Sequence, residues 1–129
     1  MPVEPVDPDA PVPGRALSPA VLAAIALGGG LGGLARHAFA GLGVVGTVAV
    51  NVLGSALIGV LMALLPRLHP LARPLLGVGF LGGFTTFSAH ALDVVRLGPA
   101  WGAAYLVGTL VGALAATACG LAVTRRVAG

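Results

Sequence analysis

Thr47, Asn51 and Ser55 follow one another at four-residue steps, so on a helix an amide and two hydroxyls lie close to one face. A second polar set, Thr85, Thr86 and Ser88, closes the stretch Gly79-Phe80-Leu81-Gly82-Gly83-Phe84-Thr85-Thr86-Phe87-Ser88, and a third pairs Tyr105 with Thr109. These groups donate and accept hydrogen bonds but carry no charge. Enzymatic chemistry finds no support among them. Asp93 is the only acid after Asp9, so no carboxylate pair serves acid–base catalysis. His37, His69 and His90 fall on different segments without metal-ligand spacing, and Ser55 and Ser88 lack a nucleophile elbow. Cys119 is alone, which excludes an intrachain disulfide and a cysteine metal site. Gly28, Gly30 and Gly33 match a dinucleotide fingerprint in form only, because no acid follows about twenty residues later. What remains is a neutral polar track. Donors on Asn51, Thr and Ser, with the positive edge of aromatic rings, replace part of an anion's hydration shell without a fixed cation to trap it.

The elements that carry these groups follow from charge spacing. The chain has 129 residues, 57% hydrophobic and 9% charged, with a mean hydropathy of +1.03. Such a composition excludes a water-soluble domain. Charge-free gaps of 20, 30, 19 and 28 residues separate Arg15 from Arg36, Arg36 from Arg67, Arg73 from Asp93 and Arg96 from Arg125. Each gap is long enough to cross a bilayer, which takes about 20 apolar residues. The spacing predicts an all-α membrane protein with four transmembrane helices over residues 19–40, 44–65, 71–96 and 99–124, in a transmembrane domain of residues 19–125. Residues 1–18, with Pro2, Pro5, Pro8 and Pro11 at a period of three, read as a disordered proline-rich tail and a poor signal peptide. The pI of 10.6 does not point to nucleic acid, since the Arg residues are dispersed at span ends, as snorkelling anchors, instead of clustered with aromatics.

Within the spans, Gly28 with Gly32, Gly29 with Gly33, and Gly108 with Gly112 offer small faces for close helix approach. Asn51 is either interhelical glue or part of a polar path. Gly82 and Gly83 followed by Thr85 and Thr86 continue a helix poorly, which predicts a third helix broken at mid-membrane. Such breaks persist where protein or a water-lined cavity satisfies the freed groups. Trp101 reads as an interfacial anchor, and Tyr105 with Thr109 as residues able to face the Asn51 track.

The order Gly28-Gly29-x-x-Gly32-x-x-x-Arg36, then Gly46-Thr47-x-x-x-Asn51-x-x-Gly54-Ser55, then Gly79-Phe80-x-Gly82-Gly83-x-Thr85-Thr86-Phe87-Ser88 resembles the CrcB/Fluc fluoride channels over roughly residues 20–125. The resemblance implies an antiparallel, inverted dimer of four-helix subunits that exports cytoplasmic fluoride passively and reduces its toxicity. It implies a structural sodium ion at the dimer interface, held by the backbone carbonyls of Gly82 and Thr85. Matched by motif, Asn51, Phe87, Ser88, His90, Tyr105 and Thr109 would lie along the fluoride path.

Two positions depart from the family pattern. The usual T-T-F-S-T-F-S reads Thr85-Thr86-Phe87-Ser88-Ala89-His90-Ala91, which puts His90 at the second phenylalanine and Ala89 at a polar-track threonine. A modified working pore and a degenerate one both fit, and the departures favour the second. With both termini on one side, Arg15, Arg67, Arg73, Arg125 and Arg126 face Arg36 and Arg96. Five against two favours one orientation, with cytoplasmic termini in the cell membrane. The expectation is one half of a heterodimer with an oppositely inserted paralogous subunit rather than with itself. A non-conducting assembly partner of such a subunit is the alternative.

Overall fold

The computed structural model describes residues 18–129. The proline-rich tail, apart from Ser18, and Arg15 lie outside them. Four helical segments are long and apolar enough to cross a membrane: Pro19–His37, Ala40–Arg67, Arg73–Leu97 and Pro99–Ala128. The first is α1 (Pro19–His37), opened by Ser18, whose hydroxyl accepts from the Val21 amide at 3.3 Å, and by Pro19 in its first turn. The second holds α2 (Gly43–Leu64), which starts where Gly43 takes φ +55° after a short turn at Ala40–Leu42. The last is α5 (Pro99–Ala128), which starts after Gly98 at φ +80°. It runs beyond the residue 124 expected from the sequence, to Ala128.

The third segment is not one regular helix. Arg73–Leu81 is wound as a π-helix, which the sequence pattern did not signal, and it leads into a single α-turn, α3 (Gly82–Phe84). Thr85 is extended (φ −77°, ψ 159°), and helical geometry resumes at α4 (Ser88–Leu97). The glycines therefore stay helical, and the interruption falls just after them. Thr85 ends the turn with its hydroxyl folded back on the Leu81 carbonyl at 3.0 Å.

Two close pairings organise these segments. The α1 helix packs on Arg73–Leu81 and α3, and α2 packs along α5, while α4 rests on α5. In the first pairing, a Cβ on Gly28 would meet the Leu75 carbonyl oxygen, one on Gly32 the Phe80 carbonyl oxygen, and one on Gly83 the Gly29 carbonyl oxygen. In the second, a Cβ on Gly59 would meet the Thr117 carbonyl and one on Gly120 the Ala56 carbonyl. The expected Gly28/Gly32 face is thus a true contact. The Gly108/Gly112 face is not: Gly108 has open space around it, Gly112 only a loose contact with Val52, and Gly120 does the packing instead. Few side chains are enclosed; Ala24, Val50, Leu61, Leu81 and Phe84 make the small core. Large apolar residues such as Leu27, Leu34, Val107 and Leu114 point outward, the pattern of helices solvated by lipid.

Close approach at Gly32 has a measurable consequence. Gly32→Ala forces a methyl group into backbone and is expected to lower stability by about 1–3 kcal/mol, the usual cost of overpacking. Gly30→Ala, with nothing within 4 Å of the new atom, is expected to be neutral or slightly stabilising. Thermal unfolding of the two variants in detergent, followed by circular dichroism, compares them directly.

Candidate functional site

The chain between Thr85 and Phe87 leaves helical geometry inside an apolar segment, so its backbone polar groups need partners. Asn51 supplies them. From the middle of α2 its Nδ2 donates to the Thr86 carbonyl at 2.9 Å, and the Thr86 amide donates to its Oδ1 at 2.8 Å. In an unbroken helix that amide would donate to the Gly82 carbonyl, so the clamp leaves the Gly82 oxygen free of it. Arg36, at the end of α1, donates through Nη1 to the Thr85 carbonyl at 3.3 Å. Arg36 is therefore more than a snorkelling anchor. Thr86 also caps the next helix: its hydroxyl accepts from the Ala89 amide at 3.3 Å and lies 3.4 Å from the Ser88 hydroxyl. Gly54 lies under the break, where a Cβ would meet the Thr85 methyl group.

Two cavities flank the clamp, and Thr86 borders both. The first, about 420 Å³, is lined among others by Arg36, Thr47, Ser88, Asp93 and Arg96. The second, about 430 Å³, is lined among others by Asn51, Ser55, Phe87, His90 and Thr109. Thr47, Asn51 and Ser55 thus share a helix face, as their spacing predicts, but the clamp divides the face. Thr47 opens to the first cavity while Ser55 opens to the second. Ser88 sits in the first cavity, apart from His90 and Thr109.

The aromatic residues form a chain. Phe87 is 79% exposed, and its ring centroid lies 6.4 Å from that of His90. His90 is 6% exposed and lies 4.5 Å, ring to ring, from Tyr105 on α5. The Tyr105 hydroxyl donates to Asp93 Oδ2 at 3.4 Å. Thr109, one turn further along α5, is buried against the second cavity. Phe39 and Phe80 brace the other side, meeting Phe84 at 5.8 and 6.0 Å.

Sequence reasoning missed Asp93 and the role of Arg36. Asp93 is only 7% exposed, so a carboxylate that the sequence marked only as the end of a charge-free gap is enclosed among these groups. A usable signal was present. Asp93 lies three residues after His90, on a similar face of α4.

The second cavity gathers neutral hydrogen-bonding side chains, those of Asn51, Ser55, Thr85, Thr86 and Thr109. The carbonyls of Gly82, exposed, and Thr85, at the break, are hard, neutral oxygen ligands of the kind that suit an alkali cation.

Comparison with known proteins gives the lineage. The family model described as "CrcB-like protein, Camphor Resistance (CrcB)" matches residues 23–121. A relative from Nocardia farcinica, "Fluoride-specific ion channel FluC 2", is 43% identical over 127 residues, covering 88% of this chain and 91% of the relative. A protein of the same name from Thermobifida fusca is 59% identical over 86 residues, 57% of this chain and 62% of its own length. "Fluoride-specific ion channel FluC" from Cereibacter sphaeroides (strain ATCC 17029 / ATH 2.4.9) is 45% identical over 78% of this chain and 91% of its own. The chain spans less than two thirds of the Thermobifida protein and nearly all of the other two. A clamp at an interrupted helix, a neutral polar track and a family match over most of the sequence converge on one assignment: the chain belongs to the CrcB family.

Proposed function

We propose that this protein is a subunit of a passive, fluoride-selective channel that lets fluoride leave the cytoplasm and so reduces its toxicity. The chain belongs to a family of ion channels and is not an enzyme. The observation that carries the fluoride reading is the Asn51–Thr86 clamp, which holds an interrupted helix open between two cavities, each bordered by several polar side chains. Relatives of high coverage are named as fluoride-specific channels. The anion's path runs past Asn51, Phe87, Ser88, His90, Tyr105 and Thr109, with neutral donors and ring edges taking the place of water. The interruption at Thr85–Phe87 lies at mid-membrane.

The working unit is an antiparallel dimer. The carbonyls of Gly82 and Thr85 from each subunit would hold a structural sodium ion at its interface. The exposed Gly82, relieved of the Thr86 amide, supports this reading, as does the exposed Phe87, which a second subunit would cover. Bound there, sodium would supply positive charge beside the two breaks. The partner is a paralogous subunit of opposite orientation. Two observations support a heterodimer: the Arg bias of the sequence, and relatives that occur in numbered sets, with FluC 2 and FluC 3 both found in Streptomyces avermitilis. The alternative, a non-conducting assembly partner, draws on Ala89 and His90 where the family pattern has Thr and Phe.

Fluoride efflux from liposomes tests the function. This chain is expected to conduct only with its paralogous partner; selective flux from the chain alone would refute the dependence, and no flux in either case would refute the channel. In the conducting assembly, Asn51→Ala leaves two backbone groups of Thr86 unpaired, at about 1–3 kcal/mol each. Fluoride flux is expected to fall by about tenfold or more, while the dimer survives on its remaining packing, as size-exclusion chromatography would show. Reporter fusions at the C-terminus address orientation. Signal from the cytoplasmic side alone is expected, and equal signal from both sides would overturn a fixed orientation.

A further inference from the structure

Four arginines gather at one end of the bundle, and three of the chain's four acids lie in the segment joined to that end. The start of α1, Arg67, Arg73 and the last turn of α5 share it, because successive spans alternate in direction. The packing agrees. Gly28 meets Leu75 and Gly32 meets Phe80, so α1 and the third segment run the same way. Val52 lies by Gly112 and Gly59 by Thr117, so α2 and α5 also run together, whereas Gly54 lies by Thr85 and Leu61 by Gly77, which sets α2 against the third segment. Arg67, Arg73, Arg125 and Arg126 are all exposed at this end. The rise of α5 from Trp101 to Arg125, about 36 Å at 1.5 Å per residue, exceeds a hydrocarbon core of about 30 Å, so these cations stand clear of it. Among the described residues the only side-chain carboxylate, that of Asp93, is enclosed at the opposite end of the bundle. The C-termini of α2 and α5 offer their neighbouring arginines about half a negative charge each, which answers them only in part.

The segment before Ser18 carries Glu4, Asp7 and Asp9 among Pro2, Pro5, Pro8 and Pro11. Prolines at that period favour polyproline II, whose three-residue turn and rise of about 3.1 Å per residue put Glu4 and Asp7 on one edge, about 9 Å apart. Axes of packed helices lie about 8–10 Å apart, so that edge matches the spacing of neighbouring helix ends. The stretch from Asp9 to Ser18 reaches up to about 30 Å when extended, enough to cross the end of a four-helix bundle. We propose that the acidic, proline-rich segment of residues 2–11 docks on this arginine end, its carboxylates pairing with Arg67, Arg73, Arg125 and Arg126. Anionic lipid headgroups offer the arginines the same charge, but they repel Glu4, Asp7 and Asp9. Docking answers both sets at once, and the short tether holds the acids at an effective concentration of about millimolar. Arg15, the segment's own cation, pairs with one carboxylate at most. Each exposed ion pair is weak alone, so the contact relies on several together and is sensitive to salt. With four cations set against three acids, the end is left close to neutral. None of this depends on which ion the bundle passes.

The test uses the full chain, with its partner where one is needed, in lipid nanodiscs. The exposed Cys119 is replaced by alanine, and nitroxide labels are placed on Val6→Cys and on Val127→Cys, a position 83% exposed beside Arg126. Dilution with unlabelled chain restricts the reading to distances within one molecule. In phosphatidylcholine at about 10 mM salt, where the Debye length is about 30 Å, double electron–electron resonance is expected to give one narrow distance distribution. At about 1 M salt, with a Debye length of about 3 Å, the distribution is expected to broaden by about twofold or more. Glu4→Gln, Asp7→Asn and Asp9→Asn together leave all four spans untouched and should broaden it equally at low salt. A narrow distribution that survives this neutralisation, or a broad one in the parent chain at low salt, overturns the inference. Nanodiscs with about one third phosphatidylglycerol bring in the competing occupant. A distribution still narrow there upholds docking of the segment, whereas broadening in that bilayer alone assigns the arginines to lipid headgroups and overturns it.

Discussion

An interrupted helix inside an apolar segment exposes backbone groups that lipid cannot satisfy, and in this protein the amide of Asn51 answers that demand. Its two hydrogen bonds to Thr86 occupy the carbonyl and the amide of one residue, which fixes the break in register as well as in energy. Only a side-chain amide offers a donor and an acceptor side by side. Asp would lose the donor, and Leu of similar volume would lose both. By taking the Thr86 amide, Asn51 also keeps it from the Gly82 carbonyl. One side chain on α2 thus shapes both the polar track and the carbonyl pair assigned to sodium.

The clamp needs its two helices at a set distance, and glycines set it. Gly54 lies one turn from Asn51 and admits the Thr85 methyl group, so the break is seated against α2 where a larger residue would push it away. On the opposite side, Gly28 and Gly32 let α1 lie against the π-helical turn and α3, bringing Arg36 to the Thr85 carbonyl. The broken segment is therefore held between α1 and α2. Lipid solvates apolar side chains as well as protein does, so the hydrophobic effect does little to order these helices. Backbone contact and hydrogen bonds carry that work.

The four spans were legible because crossing a bilayer imposes a length and forbids charge, and both constraints are written one residue at a time. The Asn51 face was legible for the same local reason, a four-residue repeat. What the sequence hid is what depends on several segments at once. The π-helical winding of Arg73–Leu81 leaves no mark in hydrophobic periodicity. The choice of Gly120 over Gly108 as the packing glycine depends on how α5 is rotated against α2, and both residues look alike in a list of small positions. Asp93 was placed near a span end by its flanking Arg96, yet α5 covers it through Tyr105. Burial of that kind is a property of the neighbour, not of the segment.

Charge is the remaining constraint, and the two cavities handle it differently. The first carries Arg36, Arg96 and Asp93, so fixed charges of both signs border it, two cations to one acid. On the proposed path such a site would draw in an anion without closing on it, because the acid offsets part of the attraction. The second is lined by neutral groups and His90. On the proposed path, an anion passing from the first to the second would leave a region of net positive charge for one of neutral groups and His90, and Thr86, bordering both, marks the step. A permanent cation in the second cavity would deepen its well and hold the ion there. An aromatic ring would leave the well shallow, and an imidazole lies between the two. His90, in a cavity otherwise lined by neutral groups, is the position at which the proposed path departs furthest from the family pattern.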